Sequence, residues 1–391
     1  MNRVVHVTTA HSPLDNRIFR KECTALSDAG FDVSLVAVAP RDHEVDGVQI
    51  VALRAFTSRW RRMLLGPRNV WQALQRLQPD VVHVHDPELI PVAVLWRWRH
   101  RAAVVYDAHE ELQLQVLGKP YLPRAVRPLI ALAARLLEAT ADRHLDGIVA
   151  ATPAIAGNYR HAAVVLVQNY PWLRDYPTVQ PVDASSSDVA YVGVIAEARG
   201  ALEMIRAVQS SQRQARLVLA GPVASATLLK QIEEASETTR YLGQLSPAAI
   251  PAVLADTRLG LCVLHPLPNY LEAQATKLFE YMAAGRPFIA SDFPFWRSLL
   301  EPHGCGLFVD PLNVEALTLA IDTLLGDEDL TLRMGERGRA AVIEHFCFEV
   351  EAKKLVTMTA EFCANSHIAG PLSSVVNASG SAPAAARVPS D

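Results

Sequence analysis

What most restricts this chain is an alternation that runs, stops and starts again. Short β-branched runs at residues 4–9, 33–38, 49–53, 81–85, 103–107, 147–151 and 164–168 are separated by segments with helical spacing. Between the first two, Ile18, Phe19, Cys23 and Leu26 share one face of a helix predicted over 17–29. Strands joined through helices pair in parallel, as βαβ units. A Pro- and Ser-rich stretch at 176–188 interrupts the pattern. The alternation then resumes at 189–194, 217–220, 240–243, 259–265, 287–291 and 306–309, with helical patterns at 314–325 and about 349–364. The expected fold is α/β, with two Rossmann-like, doubly wound domains facing across a cleft. A chain of 391 residues, half of them hydrophobic, is long for one domain and comfortable for two. The expected division is 1–175, a linker 176–188, a second domain 189–345, a last helix 346–365 and a tail 366–391. The tail has the Ala, Ser, Pro and Gly composition of a disordered segment.

The formal net charge of −4 hides an asymmetry, because residues 1–180 carry 21 Lys/Arg against 17 Asp/Glu. Residues 47–79 hold six arginines and no acid, and residues 112–137 hold four basic residues and no acid. Such stretches are ordinarily solvated helix faces. Here Trp60, Met63, Leu64, Leu65, Trp71 and Leu74 interleave with the arginines, which suits a surface lying against an anionic bilayer or a phosphorylated acceptor. Nucleic acid is disfavoured as a partner by the acidic second half and a pI near 6.4. The cysteines, Cys23, Cys262, Cys305, Cys347 and Cys363, have no metal spacing and no CxxC, and read as reduced thiols of a cytosolic protein. No signal-peptide core opens the chain, and the longest apolar runs, such as 89–96, fall far short of a membrane span. The expected location is cytoplasmic, at most peripheral at the inner face of the membrane.

The densest functional phrase is LEAQATKLFEYMAAGRP, residues 271–287. Glu272 and Glu280 stand either side of seven residues, and the second lies in a short helix that Gly285 stops and Pro287 bars from continuing. At 100° per residue, Leu278, Phe279 and Met282 share an apolar face, with Lys277, Glu280, Tyr281 and Ala284 opposite. The helix starts beyond a strand, at the carboxyl edge where open α/β sheets bind ligands. Its free amides and Lys277 would face an anion such as a diphosphate, and Glu280, one turn in, would reach sugar hydroxyls. A Glu-x7-Glu pair alone ordinarily means two solvated carboxylates.

As a whole the phrase resembles the donor-binding signature of retaining GT-B glycosyltransferases, notably bacterial polysaccharide (exopolysaccharide and O-antigen) assembly enzymes. The resemblance implies that Glu280 holds the nucleotide ribose and Glu272 the donor-sugar hydroxyls, with Thr276 and Lys277 also at the donor. Ala275 stands where that family often has proline. The likeness runs from Val4 to Phe362, and residues 345–355 are similar to a segment that in relatives crosses back to the first domain. TTAHSPLDNRIFRKE, residues 8–22, resembles the opening of the same subfamily and lacks the Gly-Gly loop of other GT-B enzymes. It implies an acceptor-side role for His11, Asp15 and Arg17. The residues alone fit a helix cap by Asp15 and an Asp15–Arg17 pair equally well. In VVHVHDPEL, His83 and His85 project on one strand face, and His85 and Asp86 at its end are better placed for the cleft. VVYDAHEE resembles the strand that delivers an active-site histidine, implying that His109 lies near the transferred sugar. YVGVIAEARG resembles the loop that reaches the donor diphosphate. Of two cations that relatives often carry there, this chain has Val194 for the first and Arg199 for the second, leaving Lys277 to supply the other charge.

Asp327-Glu328-Asp329 spells the DxD of metal-dependent glycosyltransferases, but between two helical patterns it reads as a capping turn. The resemblance implies a glycosyltransferase of hexosyltransferase type. It would move a sugar from a nucleotide-sugar donor to a glycan or polyprenyl-diphosphate-linked acceptor in cell-surface polysaccharide synthesis, with retention and with no metal or other cofactor. Two alternatives stay open: a sugar-nucleotide 2-epimerase, for which no acid/base carboxylate cluster is identifiable, and a non-catalytic scaffold.

Overall fold

The computed structural model describes residues 2–109, 112, 126–179 and 186–368. In the first half, β1 (Arg3–Val7), β2 (Asp32–Val38), β3 (His43–Val45), β4 (Val48–Leu53), β5 (Val81–Val84), β6 (Ala103–Ala108), β7 (Gly147–Ala150) and β8 (Ala163–Leu166) form one sheet. Its order is β3-β4-β2-β1-β5-β6-β7-β8, and every neighbour pair is parallel except β3–β4. The unexpected strand is β3. Its His43 and Glu44 make no β-branched run, but Asp46 and Gly47, at φ 50° and 75°, turn the chain into a two-residue hairpin.

The second sheet is built from β9 (Asp188–Val192), β10 (Arg216–Ala220), β11 (Thr239–Tyr241), β12 (Leu259–Cys262), β13 (Phe288–Ser291) and β14 (Gly306–Val309). Its order is β11-β10-β9-β12-β13-β14, all parallel. Strand order reverses between β1 and β5 in one sheet and between β9 and β12 in the other. Loops leaving the carboxyl ends at those points part to opposite faces and leave a crevice.

Both faces of each sheet are covered, as parallel strands require. In the first domain Val5, Val82 and Val104 join a core with Trp96, while Val4, Val81 and Val105 join another with Leu35 and Phe348. That second core includes Leu355, Met358 and Cys363 of the last helix, Phe348–Ile368, which therefore packs on the first domain. The helix runs past 364 into the expected tail, and residues from 369 lie outside the described ones. Conversely, Tyr170 and Tyr176 pack into a core of the second domain, so the change of domain begins before residue 176. Of the expected linker, 180–185 lie outside the described residues and Asp188 already starts β9.

The helix Arg59–Leu77 divides the tryptophan–arginine stripe. Leu74 is buried and Trp71 packs against the core, so that half is not surface, whereas Trp60 and Leu64 are 75% and 76% exposed. Arg62 pairs with Glu88 at 2.9 Å. Of the second acid-free stretch, 113–125 lie outside the described residues; Leu129, Leu132 and Leu136 are exposed on the helix Arg127–His144. Among the described residues no helix is long and apolar enough to cross a membrane.

Candidate active site

The helix Thr276–Ala283 has no side-chain cap from Ala275, and the chain leaves it through Gly285 at φ 69°. It is not two-faced, which corrects the periodicity. Tyr281 and Ala284 are buried, and the Tyr281 hydroxyl donates to the Leu261 carbonyl at 3.0 Å. Gly260 makes this possible, since a Cβ there would stand 2.2 Å from the Tyr281 ring. The cause is tertiary: the helix is wedged between β12 and the helix Glu328–His345, so even its expected polar side is covered. Only Thr276 and Glu280 in it keep partial exposure.

Those two, with Lys277, open on a cavity of about 320 Å³ at the carboxyl ends of β9 and β10. The second domain contributes Gly193, Arg199, Gly221 and Ile250; the segment between domains contributes Trp172, Asp175 and Tyr176; the first domain contributes Asn16 and Lys21. Lys277 is buried, its Nζ sits 3.7 Å above the Tyr191 ring, and it has no hydrogen-bond partner among the described residues. It lies 3.5 Å from where a Cβ of Gly193 would stand, which sets the ammonium beside the Gly193 backbone, at φ 111°. Arg199 lies over the Tyr270 ring at 5.9 Å. Burial raises the pKa of Glu280, Lys21 and Lys277 pull it back, and Asp175 adds to the rise. Glu272 is not brought into this wall. It follows the short helix Pro268–Leu271 and is exposed.

At the carboxyl edge of the first sheet, His11 and His109 meet edge to face with centroids 5.1 Å apart. His11 lies 3.7 Å from both Asp15 and Asp86. Asp15 also accepts from the amides of Arg17 (2.8 Å) and Ile18 (3.0 Å), so it caps the helix as well as facing His11. Burial alone would raise its pKa, but the neighbouring His11 and these amides lower it to about 2. Burial lowers the pKa of His109 and favours a neutral imidazole; Asp107 opposes this.

Arg17 is a correction. It is 6% exposed and turned inward, donating to both oxygens of Asp107 at 3.1 and 2.9 Å and to the Val167 carbonyl at 3.0 Å. It therefore ties the first-domain core together rather than facing an acceptor. His85 is likewise internal: its Nδ1 lies 3.1 Å from Asp107 and its Nε2 lies 2.9 Å from His6. Asp327 accepts from the Leu330 amide at 2.8 Å, so the DxD string caps a helix.

Lys21 was not singled out by sequence, although it stands in the phrase RIFRKE. Amides of Arg20 and Glu22 bond carbonyls five residues back, those of Asp15 and Arg17, so residues 18–23 form a widened turn. The wide turn rotates Lys21 and Glu22 off the solvent face that 3.6-residue spacing assigns them. Lys21 is 4% exposed, and its Nζ donates to Asn169 O (3.1 Å) and Oδ1 (2.5 Å). Burial lowers its pKa to about 7, with Glu280 acting in the opposite sense.

Two doubly wound sheets, with a cation-lined cavity at the switch point of the second and a wall supplied by the first, define the GT-B glycosyltransferase class. Within it, residues 16–166 match the family "Glycosyltransferase Family 4" and residues 175–341 match "Glycosyl transferases group 1", which together place the chain among the GT-B glycosyltransferases. Sucrose-phosphate synthase from Thermosynechococcus elongatus superposes with a TM-score of 0.75 at 17% identity, covering 93% of this chain and 100% of that one. Anabaena Alr3699/HepE in complex with UDP-glucose gives 0.68 at 13% identity, covering 92% and 99%. At these identities the likeness is one of fold. Among curated proteins, the chain is 29% identical to the alpha-D-kanosaminyltransferase of Streptomyces kanamyceticus over 154 residues, which is 38% of this chain and 39% of the relative. It is also 29% identical to the MMP alpha-(1->4)-mannosyltransferase of Mycolicibacterium hassiacum over 115 residues, 29% and 27% of the two chains. The chain thus matches well under half the length of either curated relative.

Proposed function

We propose that this protein transfers a hexose from a nucleotide-sugar donor, bound in the second domain, to a glycan or lipid-linked glycan acceptor held by the first. The carrying observation is the buried ammonium of Lys277, without a hydrogen-bond partner among the described residues, which opens with Arg199 and the half-buried Glu280 onto one cavity at the switch point. Burying an ammonium whose hydrogen-bonding capacity is unused is costly, so the arrangement is best explained by an anion that arrives with the substrate. Arg199, Lys277 and the uncapped helix start would hold the diphosphate and stabilise charge growing on it as it leaves. Glu280 would accept the ribose hydroxyls. The neutral His109, with His11, would lie on the acceptor side.

The resemblance of residues 271–287 supports retention, by front-face substitution in which a departing phosphate oxygen would help to take the acceptor proton. We infer metal independence from the charge at the site: Arg199, Lys277 and helix amides would face the diphosphate, and Asp327 of the DxD string caps a helix. A lipid-linked acceptor at an anionic membrane is supported by the exposed Trp60 and Leu64 beside Arg61 on the first domain. The test is incubation of the purified protein with UDP-, GDP- and ADP-sugars, with and without glycan acceptors. Transfer consumes donor only when an acceptor is present. Donor change without acceptor would mean epimerisation, and no change with any donor would mean a scaffold.

A further inference from the structure

We propose that Lys21 of the first domain acts on the nucleotide through Glu280 of the second, facing that carboxylate across the cavity as a positioning residue, so that the ribose site is complete only when both domains wall it. The inference rests on the reading of Glu280 as the ribose acceptor. Three observations lead to it. Lys21 and Glu280 line the same cavity from different domains. Lys21 is almost wholly buried, yet its hydrogen-bond partner is the neutral Asn169, and no carboxylate among the described residues lies in ion-pair contact with it. In its protonated form, which Glu280 favours, Lys21 has three protons to donate, and Asn169 supplies two oxygens, which leaves one N–H for the cavity. A lysine with a purely structural task would ordinarily be buried against a carboxylate.

Charges acting on the pair come from every side. Lys21 feels Glu280, Arg17, Asp175 and Asp15, and Glu280 feels Lys21, Lys277 and Asp175. Lys277 is committed to the Tyr191 and Gly193 end of the site. Lys21 is therefore the cation that remains for Glu280 when a nucleotide expels water from the cavity, and the attraction between the two then strengthens as the local dielectric falls. Holding Glu280 in place and ionised favours its bonds to vicinal hydroxyls.

Calorimetry on the full chain tests this with whichever of UDP, GDP or ADP binds, and with the 2′,3′-dideoxy form of the same nucleotide. Lys21→Met is expected to weaken the ribonucleotide roughly tenfold, and Lys21→Met/Glu280→Gln to be no weaker than Glu280→Gln by more than about threefold, because coupled residues do not add. Lys21→Met should leave binding of the dideoxy nucleotide unchanged, which also reports that the site is folded. If Lys21→Met does not fold, Lys21→Gln, which keeps bonds to Asn169, is read in the same way. Additive losses, an equal loss with the dideoxy nucleotide, or no loss at Lys21 while Glu280→Gln weakens binding would overturn the role of Lys21 alone. No loss in Glu280→Gln would instead remove the ribose reading beneath it.

Discussion

Replacing Lys277 by methionine separates stability from binding. Lys277 is 8% exposed and its ammonium is without a hydrogen-bond partner among the described residues, a state that costs about 1–3 kcal/mol. Its place over the Tyr191 ring returns roughly 0.5–2 kcal/mol. Methionine has nearly the same length, removes the desolvated charge, and keeps a sulfur–aromatic contact worth about 0.3–1.5 kcal/mol. Ligand-free stability of Lys277→Met should therefore stay level or rise by about 1 kcal/mol, which is roughly 2–4 °C in Tm for a domain of this size. Nucleotide binding should move the other way. A charge-assisted bond to phosphate is worth about 1.5–3 kcal/mol, so affinity should fall about ten- to a hundredfold. At a nucleotide concentration near 100 Kd of the wild type, the ligand stabilises by about 2.7 kcal/mol; a thirtyfold weaker site keeps about 0.9 kcal/mol. Thermal melts with and without UDP, GDP or ADP, together with calorimetry, read both quantities. A ligand-free loss above about 1 kcal/mol would show that the ammonium has a structural task. Unchanged nucleotide affinity would remove it from the diphosphate site.

Gly260→Ala should destabilise the second domain by about 1–3 kcal/mol, because its Cβ meets the Tyr281 ring at 2.2 Å; urea unfolding should show the loss shrink when Tyr281→Leu is added. His83 is buried and stacks on His6 with centroids 4.5 Å apart, its pKa lowered to about 3, chiefly by burial and then by His85, while Asp107 opposes. The unfolded chain takes this proton below its ordinary 6.5, so the folded state loses stability as pH falls from there towards 3; His83→Leu should flatten that limb of a urea-midpoint profile, and superimposable slopes would refute the assignment. Transfer activity should persist in excess EDTA, and loss restored by magnesium or manganese would show that Arg199 and Lys277 do not suffice for the diphosphate. The first domain should float with anionic vesicles at low salt and release at high salt; Trp60→Ser with Arg61→Ser should weaken flotation while nucleotide affinity holds, each basic residue there contributing about 1 kcal/mol. Indifference of the wild type to such vesicles would leave the stripe a solvated face.

The parallel architecture was legible because burial on both sheet faces leaves continuous apolar runs, and each run from 33–38 to 306–309 lies on an observed strand. The exception, β3, is carried by a turn rather than by its own residues. Lys277 and Glu280 could be located because helix spacing and a glycine stop fix where that helix begins and ends. Glu272 could not, because its placement depends on a loop whose path local spacing does not set.

The sequence by itself determined the two sheets, the helix at the second switch point and its cations, since periodicity, β-branching and punctuation act over a few residues. Only the tertiary structure decided which polar groups face the cavity. Tyr281 is turned inward by a missing Cβ on Gly260, a neighbour remote in sequence. Arg17 is drawn to Asp107, ninety residues away, and the widened turn at 18–23 carries Lys21 toward the opposite domain. Such outcomes depend on which distant groups compete for one buried charge. Low dielectric makes that competition strong, and no local pattern in the chain records it.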